Sequence, residues 1–334
     1  MRNMQVAVTG GTGCLGRPLI EKLITYGAHP KLLTLPNDPF ITDLKKKITV
    51  ITGDLNSPDA INRLCRNCDV VFHLAGMVHS VPGTHKEEKA FFQVNVEGTH
   101  NVLKASMKNG VRKVVFYSSV GVYGKDADFH GDELSPCRPA TAYTKSKYFA
   151  EQLVLKSSSD GGPDGVVLRF PVVYGPLDRG NVAKLINAIH SRLFCFFGDG
   201  NCLRSMISAK NSAEVALSAA FAPNVATEVF CVTDGRDYTM NELVDSICHA
   251  LSMHRRPYHM PVRLANLVGR YGDLLRKLPL VTFPIDSDRV RKLSRPLTFS
   301  CEKAKNLLSY APVESLSEGI TKEVEWMRER KGWR

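Results

Sequence analysis

Residues Gln5 to Tyr26 run from a short β-branched segment through the turn TGGTGCLG into a stretch with Leu19, Ile20, Leu23 and Ile24 on one helical face. A strand that turns this tightly into a helix has few architectures open to it. Gly10, Gly13 and Gly16 each suit that turn. They allow the tight reversal, close helix–strand packing and, at Gly13, close approach of the backbone to a diphosphate. The start of the helix, at Cys14, Leu15 and Gly16, then offers amide donors and positive potential to an anion. Pro18 sits in the first helical turn, where its missing N–H costs little.

The strand–helix alternation continues. Lys31 to Leu35, Ile48 to Thr52, Val70 to Leu74, Lys113 to Ser118 and Val166 to Phe170 read as strands, and Val229 to Thr233 as a seventh. Helical spacing fills most of the gaps, notably Val94 to Asn109 and Ala142 to Lys156. Such alternation predicts a parallel α/β sheet covered on both faces. From about Asp178 the pattern loosens into helices at Asn181–His190, Asn211–Phe221 and Met240–Leu251. The reading is therefore two units: residues 1–177 as a dinucleotide-binding domain and 178–334 as a smaller lobe. Residues 229–235 return from that lobe to the main sheet.

Composition bounds the rest. A chain of 334 residues, 43% hydrophobic and 23% charged, is ordinary globular material and excludes disorder. No run of about 18 apolar residues is present, which excludes a membrane-spanning helix. The opening MRNMQVAVTGG leaves no room for a secretory leader. Of nine cysteines, only Cys65 and Cys68 form a CxxC, with no second pair, so no metal site is expected. A reduced, cytoplasmic setting fits. The net charge of +11 suits a phosphate-bearing small molecule, and no nucleic-acid motif accompanies it.

Tyr143 and Lys147 stand four residues apart in AYTKSK, on one helical face. A neighbouring ammonium lowers a phenol's pKa and fits it to exchange a proton with a carbinol or carbonyl. Ser119, at the end of the FYSS strand, is placed to hydrogen-bond the same oxygen. The acidic ribose ligand expected about 20 residues past the glycine turn is absent. Asp38 reads as a turn residue, no arginine offers itself to a 2′-phosphate, and NAD or NADP stays open with NAD favoured.

Together these residues resemble the extended short-chain dehydrogenase/reductase family. The resemblance rests on TGGTGCLG, GDL at Asp54, HLAG at His73–Gly76, NVEGT at Asn95–Thr99, SSVGVYG at Ser118–Gly124, the Tyr143/Lys147 pair and RFPVVYGP at Arg169–Pro176. It implies a Rossmann-like doubly wound sheet with a C-terminal substrate lobe, and Ser119, Tyr143 and Lys147 as catalytic residues. It implies cofactor contacts at Gly10, Gly13, Cys14, Leu15, Gly16, Asp54, Leu55, Leu74, Ala75, Gly76, Lys147 and Pro171. His73 reads as a core histidine and Asn95 as a tie between strands. DRGNVAKLI and FFGDGNCLRSMI resemble the substrate lobe of nucleotide-sugar enzymes, which makes Asn181, Arg204 and Ser119 the substrate candidates. A homodimer through the Tyr143 helix and the Val94–Asn109 helix is also implied.

Ser119-Val120-Gly121 stands where dehydratases of this group carry Thr-Asp-Glu, so water elimination is set aside. The resemblance then points to hydride chemistry at C4 of a UDP-sugar, as 4-epimerase or 4-ketoreductase. Val172 replaces the asparagine of the 4-epimerases. Two alternatives remain: a 3β-hydroxysteroid dehydrogenase-like enzyme, and a non-catalytic nucleotide-binding regulator. The first draws on VVYGPLDRGN and on the basic amphipathic stretch Val262 to Leu278, with Arg263, Arg270, Arg276 and Lys277. That stretch offers itself for peripheral membrane contact, though a helix packing its leucines inward is the favoured expectation.

Overall fold

The computed structural model describes residues 4–41, 47–78, 85–125, 127–275 and 286–333. Arg276 and Lys277 therefore lie outside the described residues. Seven strands form the main sheet: β1 Gln5–Thr9, β2 His29–Thr34, β3 Thr49–Thr52, β4 Val70–His73, β5 Lys113–Ser119, β6 Asp164–Phe170 and β7 Glu228–Cys231. Their order is 7-6-5-4-1-2-3, and every pairing is parallel. The expected doubly wound α/β sheet is thus present.

Side chains alternate along each strand, so both faces are apolar. Val6, Val8, Leu32, Phe72 and Val115 face the Gly16–Thr25 and Ala209–Phe221 helices. Ala7, Leu33, Val71, Val114 and Phe116 face Pro58–Cys65, Gly98–Lys108 and Ala142–Lys156. Leu19, Ile20 and Leu23 of the first helix are fully buried. Burial of each contributes about 1.5–3 kcal/mol. The chain order reverses between β1 and β4, which opens a crevice at their C-terminal ends.

One expected helix differs. Val94 to Asn109 is not a single α-helix: a π-helical turn, Gln93–Glu97, precedes Gly98–Lys108. The extra residue turns Asn95 inward, where it is buried. Short π segments of this kind recur at functional sites.

A second core gathers Tyr174, Ile186, Met206, Tyr238, Ile247, Ile320 and Val324. It lies among the Asn181–His190, Met240–Ala250 and Leu316–Lys331 helices and the Leu203–Ser208 strand. Leu203–Ser208 belongs to a small sheet with Asp237–Thr239, Leu297–Phe299, Phe129–Gly131 and Val172–Tyr174. Among the described residues no helix is long and apolar enough to cross a membrane.

Candidate active site

Gly10 adopts φ +73°, a conformation that side chains resist. A Cβ there would also stand 2.6 Å from the Ala75 amide nitrogen, so the turn after β1 lies directly against the loop after β4. Gly13 is exposed, and a Cβ on it would meet nothing closer than the Gly10 carbonyl at 3.7 Å. Its side of the crevice is open to a ligand while Gly10 is closed by protein. The Gly13 carbonyl accepts from Gly16 and Arg17 amides at 3.1 and 3.0 Å, which starts the helix. Leu15 packs against the sheet core, and the Cys14 thiol contacts the Gly175 carbonyl at 3.8 Å.

Thr9 closes the other wall. Its hydroxyl bonds the Ala75 amide at 3.1 Å and His73 Nδ1 at 2.8 Å, while His73 Nε2 bonds Thr99 at 2.9 Å. Burial and the Lys147 charge hold His73 down at about 3, so it is a neutral core histidine, as expected. The Leu74 amide donates to the Thr9 carbonyl. Asn95 does not tie strands together. It accepts from the Met77 amide at 2.7 Å and donates to Ser146 at 2.9 Å, fastening the Gly76–Met77 loop to the helix that carries Tyr143.

That helix, Ala142–Lys156, starts with a reciprocal cap between Thr141 and Thr144. Such caps contribute about 1 kcal/mol. Ser119 ends β5 and accepts from the Gly121 amide at 3.1 Å. A Cβ on Gly121 would meet Thr144 at 2.9 Å, so glycine there lets the two segments approach. The Ser119 hydroxyl lies close enough to the Tyr143 phenol to pull its pKa down. Two hydroxyls thus converge, as the sequence predicts, at the C-terminal end of a central strand.

Lys147 is buried and donates Nζ to the Tyr117 carbonyl at 2.6 Å. Its nitrogen lies 3.6 Å from where a Gly76 Cβ would stand, beside the loop after β4. Burial pulls it down to about 8, against an opposing pull from Glu151. One expectation is corrected. The Tyr143 phenol is raised, not lowered, because burial outweighs the pull of the nearby Ser119 hydroxyl. Lys147 directs its proton to a backbone carbonyl, so it does not acidify the phenol in the free protein.

Asp54 is exposed, and its Oδ1 accepts from the Asn56 amide and the Ser57 hydroxyl. Leu55 is buried against Gly98. Asp38 accepts from Thr12 Oγ1 at 2.7 Å and the Phe40 amide at 2.9 Å, so it is a turn residue that braces the glycine loop. Pro171 lies half-buried between β6 and the Val172–Tyr174 strand. Asn181 is the exposed first residue of its helix, and Arg204 lies on the small sheet with its strand paired to Tyr238 and Leu297. A cavity of about 930 Å³ bounded by Cys14, Pro176 and Trp326 carries none of the three catalytic candidates.

Arg169 clamps the buried Glu151 carboxylate with Nη2 at 2.8 Å and Nε at 3.1 Å, and reaches Tyr123 at 2.9 Å. Glu151 follows Lys147 by four residues, so this lysine stands along the helix between Tyr143 and an ion-paired carboxylate. Sequence reasoning missed this pair, and it missed Glu323. Glu323 is buried, and burial raises it to about 9 beside Asp178 while it accepts from the Gly175 amide. A signal existed: Glu323 shares the face of Leu316, Ile320 and Met327 at helical spacing. Among the described residues no group of ligands for a metal is present.

The open cradle at Gly13, the close approach of Gly10 to Ala75 and the lysine beside Gly76 fit a nicotinamide dinucleotide in the crevice. The fold and site define a dinucleotide-binding oxidoreductase of the extended short-chain class. The sequence profile described as NAD dependent epimerase/dehydratase family matches residues 6–232, and the chain belongs to that family. An Escherichia coli O157:H7 relative, N-acetyl-alpha-D-glucosaminyl-diphospho-ditrans,octacis-undecaprenol 4-epimerase, is 29% identical over 97% of this chain and 95% of its own. A sterol-4-alpha-carboxylate 3-dehydrogenase (decarboxylating) of Schizosaccharomyces pombe is 30% identical over 96% of this chain and 97% of its own. The crystal structure of a Thermotoga maritima UDP-glucose 4-epimerase with UDP-glucose matches at TM-score 0.77 and 24% identity, covering 98% of this chain and 100% of that one.

Proposed function

We propose that this protein is an NAD-dependent oxidoreductase acting at C4 of a diphosphate-linked sugar, a UDP-sugar in the first instance, as a 4-epimerase or 4-ketoreductase. The observation that carries this reading is the convergence of the Ser119 hydroxyl and the Tyr143 phenol beside a buried lysine one helical turn away. Two 4-epimerases among the similar proteins support the position of attack.

Gly13 would leave room for the diphosphate of the dinucleotide in a turn that Gly10 and Gly16 keep tight, and Lys147 and Gly76 would flank its nicotinamide end. NAD supplies the hydride acceptor and donor. Ser119 would orient the C4 oxygen, and Tyr143, once the bound cofactor's positive charge had released the phenol's own proton to solvent, would take the C4 hydroxyl proton as hydride leaves C4. Tyr143 would return that proton to the ketone oxygen when hydride came back to the other face, giving the epimer. Reduction of a supplied ketone uses only the second half. Val120 and Gly121 offer no acid or base for water elimination. Arg204 suits the diphosphate because its planar fork binds phosphate oxygens in pairs.

The test is incubation with NAD and, separately, UDP-glucose, UDP-N-acetylglucosamine and a 3β-hydroxysterol, with products read by NMR. Inversion at C4 with NAD, or reduction of the corresponding 4-ketosugar when that ketone is supplied with NADH, is expected. Oxidation of the sterol with no reaction of any sugar would replace this reading with the sterol one, which the S. pombe relative supports. We also infer a homodimer through the Gly98–Lys108 and Ala142–Lys156 helices, whose exposed Met107 and Phe149 are the supporting observation. Light scattering of Phe149→Glu should then show the monomer; an unchanged mass for that variant rejects this face.

A further inference from the structure

The Val262–Leu275 helix turns its large apolar residues away from the protein. Ala265, Gly269 and Gly272 form its buried stripe, against Phe197 and Val290. A Cβ on Gly269 would come within 3.0 Å of the Ser287 backbone, so small residues let the helix sit close to Ser287–Ser294. Leu264, Leu267, Tyr271 and Leu274 recur at i, i+3, i+7 and i+10 and share the opposite face. They are between 49% and 63% exposed, and Tyr258, just before the helix, is 84% exposed. The expectation of inward leucines is therefore overturned: the seat is too tight for leucine, and glycine and alanine occupy it.

Cations border this apolar face. Arg263 and Arg270, one heptad apart, are exposed along its edge. The Phe196–Phe197 and His259–Met260 strands pair at the foot of the helix. Beyond them a cavity of about 740 Å³ is lined by Arg192, His254, Arg255 and Arg256 beside Tyr258. Arg256 pairs with Asp245; Asp273 accepts from the Ser287 amide, and Asp199 is bonded to Asn201. The acids here thus have partners within the fold.

We propose that this helix, with Tyr258 and the flanking arginines, docks the protein on the surface of an anionic lipid bilayer. An apolar stripe bordered by arginines is the pattern of a helix lying in the membrane interface. A second copy of the chain fits poorly, because a twofold contact sets each patch against itself, and this patch carries Arg263 and Arg270 on both copies. A monomeric soluble protein rarely leaves so continuous an apolar strip uncovered. The docked helix packs on Ser287–Ser294, which leads into the strand paired with Arg204, so the surface adjoins the substrate lobe. The inference is independent of the C4 reading.

The test is sedimentation of the full chain with vesicles of phosphatidylcholine alone and of phosphatidylcholine with phosphatidylglycerol. Binding is expected only to the anionic vesicles, weakening with salt. Leu267→Glu with Leu274→Glu, at exposed sites, should keep the melting temperature and lower vesicle affinity at least about tenfold. Arg263→Glu with Arg270→Glu should do the same. Absence of binding to anionic vesicles overturns the proposal, as does binding that survives both double variants. A fall in solution mass in the leucine variant, with no vesicle binding by the parent, would assign the face to self-association instead. Sugar turnover in detergent-free buffer is the separate readout for the C4 reaction.

Discussion

Lys147 donates its ammonium proton to the Tyr117 carbonyl at 2.6 Å, so the lysine is anchored on β5, the strand that ends in Ser119. The phenol four residues earlier lies near Ser119, and burial raises it so that it keeps its proton in the free protein. Tyr143 therefore meets substrate as a hydrogen-bond donor, and proton transfer follows only when a bound ligand changes its surroundings. Tyr143→Phe removes that proton and nothing that holds the crevice together. The expected result is a fall in kcat of about a hundred- to ten-thousand-fold with little change in NAD affinity. Turnover and cofactor-fluorescence titration check it, and a variant of normal kcat would exclude proton transfer through this residue.

Two glycines of the same turn should separate folding from binding. At Gly10 a side chain meets both a left-handed backbone and the Ala75 amide at 2.6 Å. Strain alone costs about 1–2 kcal/mol, before the clash is counted. Gly13→Ala meets open space in the protein and should leave stability within about 0.5 kcal/mol. The same methyl occupies the ground where the diphosphate lies. Denaturant melts and NAD titrations should therefore show Gly10→Ala destabilised, and Gly13→Ala stable but at least about tenfold weaker for NAD. Equal NAD affinity in Gly13→Ala would move the dinucleotide elsewhere.

The sheet was legible because strand and helix periods differ and each strand is short, apolar and bounded. Ser119, Tyr143 and Lys147 were legible because the strand end and the i, i+4 spacing each carry geometry of their own. What was illegible depends on contacts between distant segments. The phenol's raised pKa follows from how deeply Ala142–Lys156 settles on the sheet, which spacing does not encode. The outward leucines of Val262–Leu275 follow from the tight seat beside Ser287. In sequence, a stripe of glycine and alanine gives no sign that it outranks leucine for the inner face.

The Arg169–Glu151 pair should behave as a buried ion pair whose halves are costly to separate. Glu151→Gln leaves the Arg169 guanidinium buried beside a neutral amide, a loss of about 3–5 kcal/mol. Replacing both partners, as Glu151→Met with Arg169→Met, should recover much of that loss, because apolar pairs of similar volume are often tolerated. Glu151 also supports the Lys147 charge. Glu151→Gln should therefore lower Lys147 further below about 8 and move the alkaline limb of the pH–rate profile to lower pH. Denaturant unfolding of the single and double variants measures the first effect. An additive double variant would show that the pair is not coupled.

Glu323 and His73 give stability opposite slopes with pH. The His73 imidazole binds its proton at about 3 in the native protein and at 6.5 in the unfolded chain. Between those values the unfolded chain holds more protons, so stability falls as pH drops from 6.5 towards 3. Glu323 is raised from 4.5 to about 9. Between 4.5 and 9 the native protein holds the extra proton, so stability falls as pH rises through that window. The two oppose each other from 4.5 to 6.5; of these groups only Glu323 acts from 6.5 to about 8, and above that the lowered Lys147 adds an opposite slope that parent and variant share. Glutamine reproduces the protonated carboxyl, so Glu323→Gln should keep its melting temperature between pH 6.5 and 8 where the parent loses ground. Below pH 4.5 both proteins should lose stability together through His73. Parallel melting curves for parent and variant across pH 6.5–9 would show that Glu323 is ionised in the folded protein.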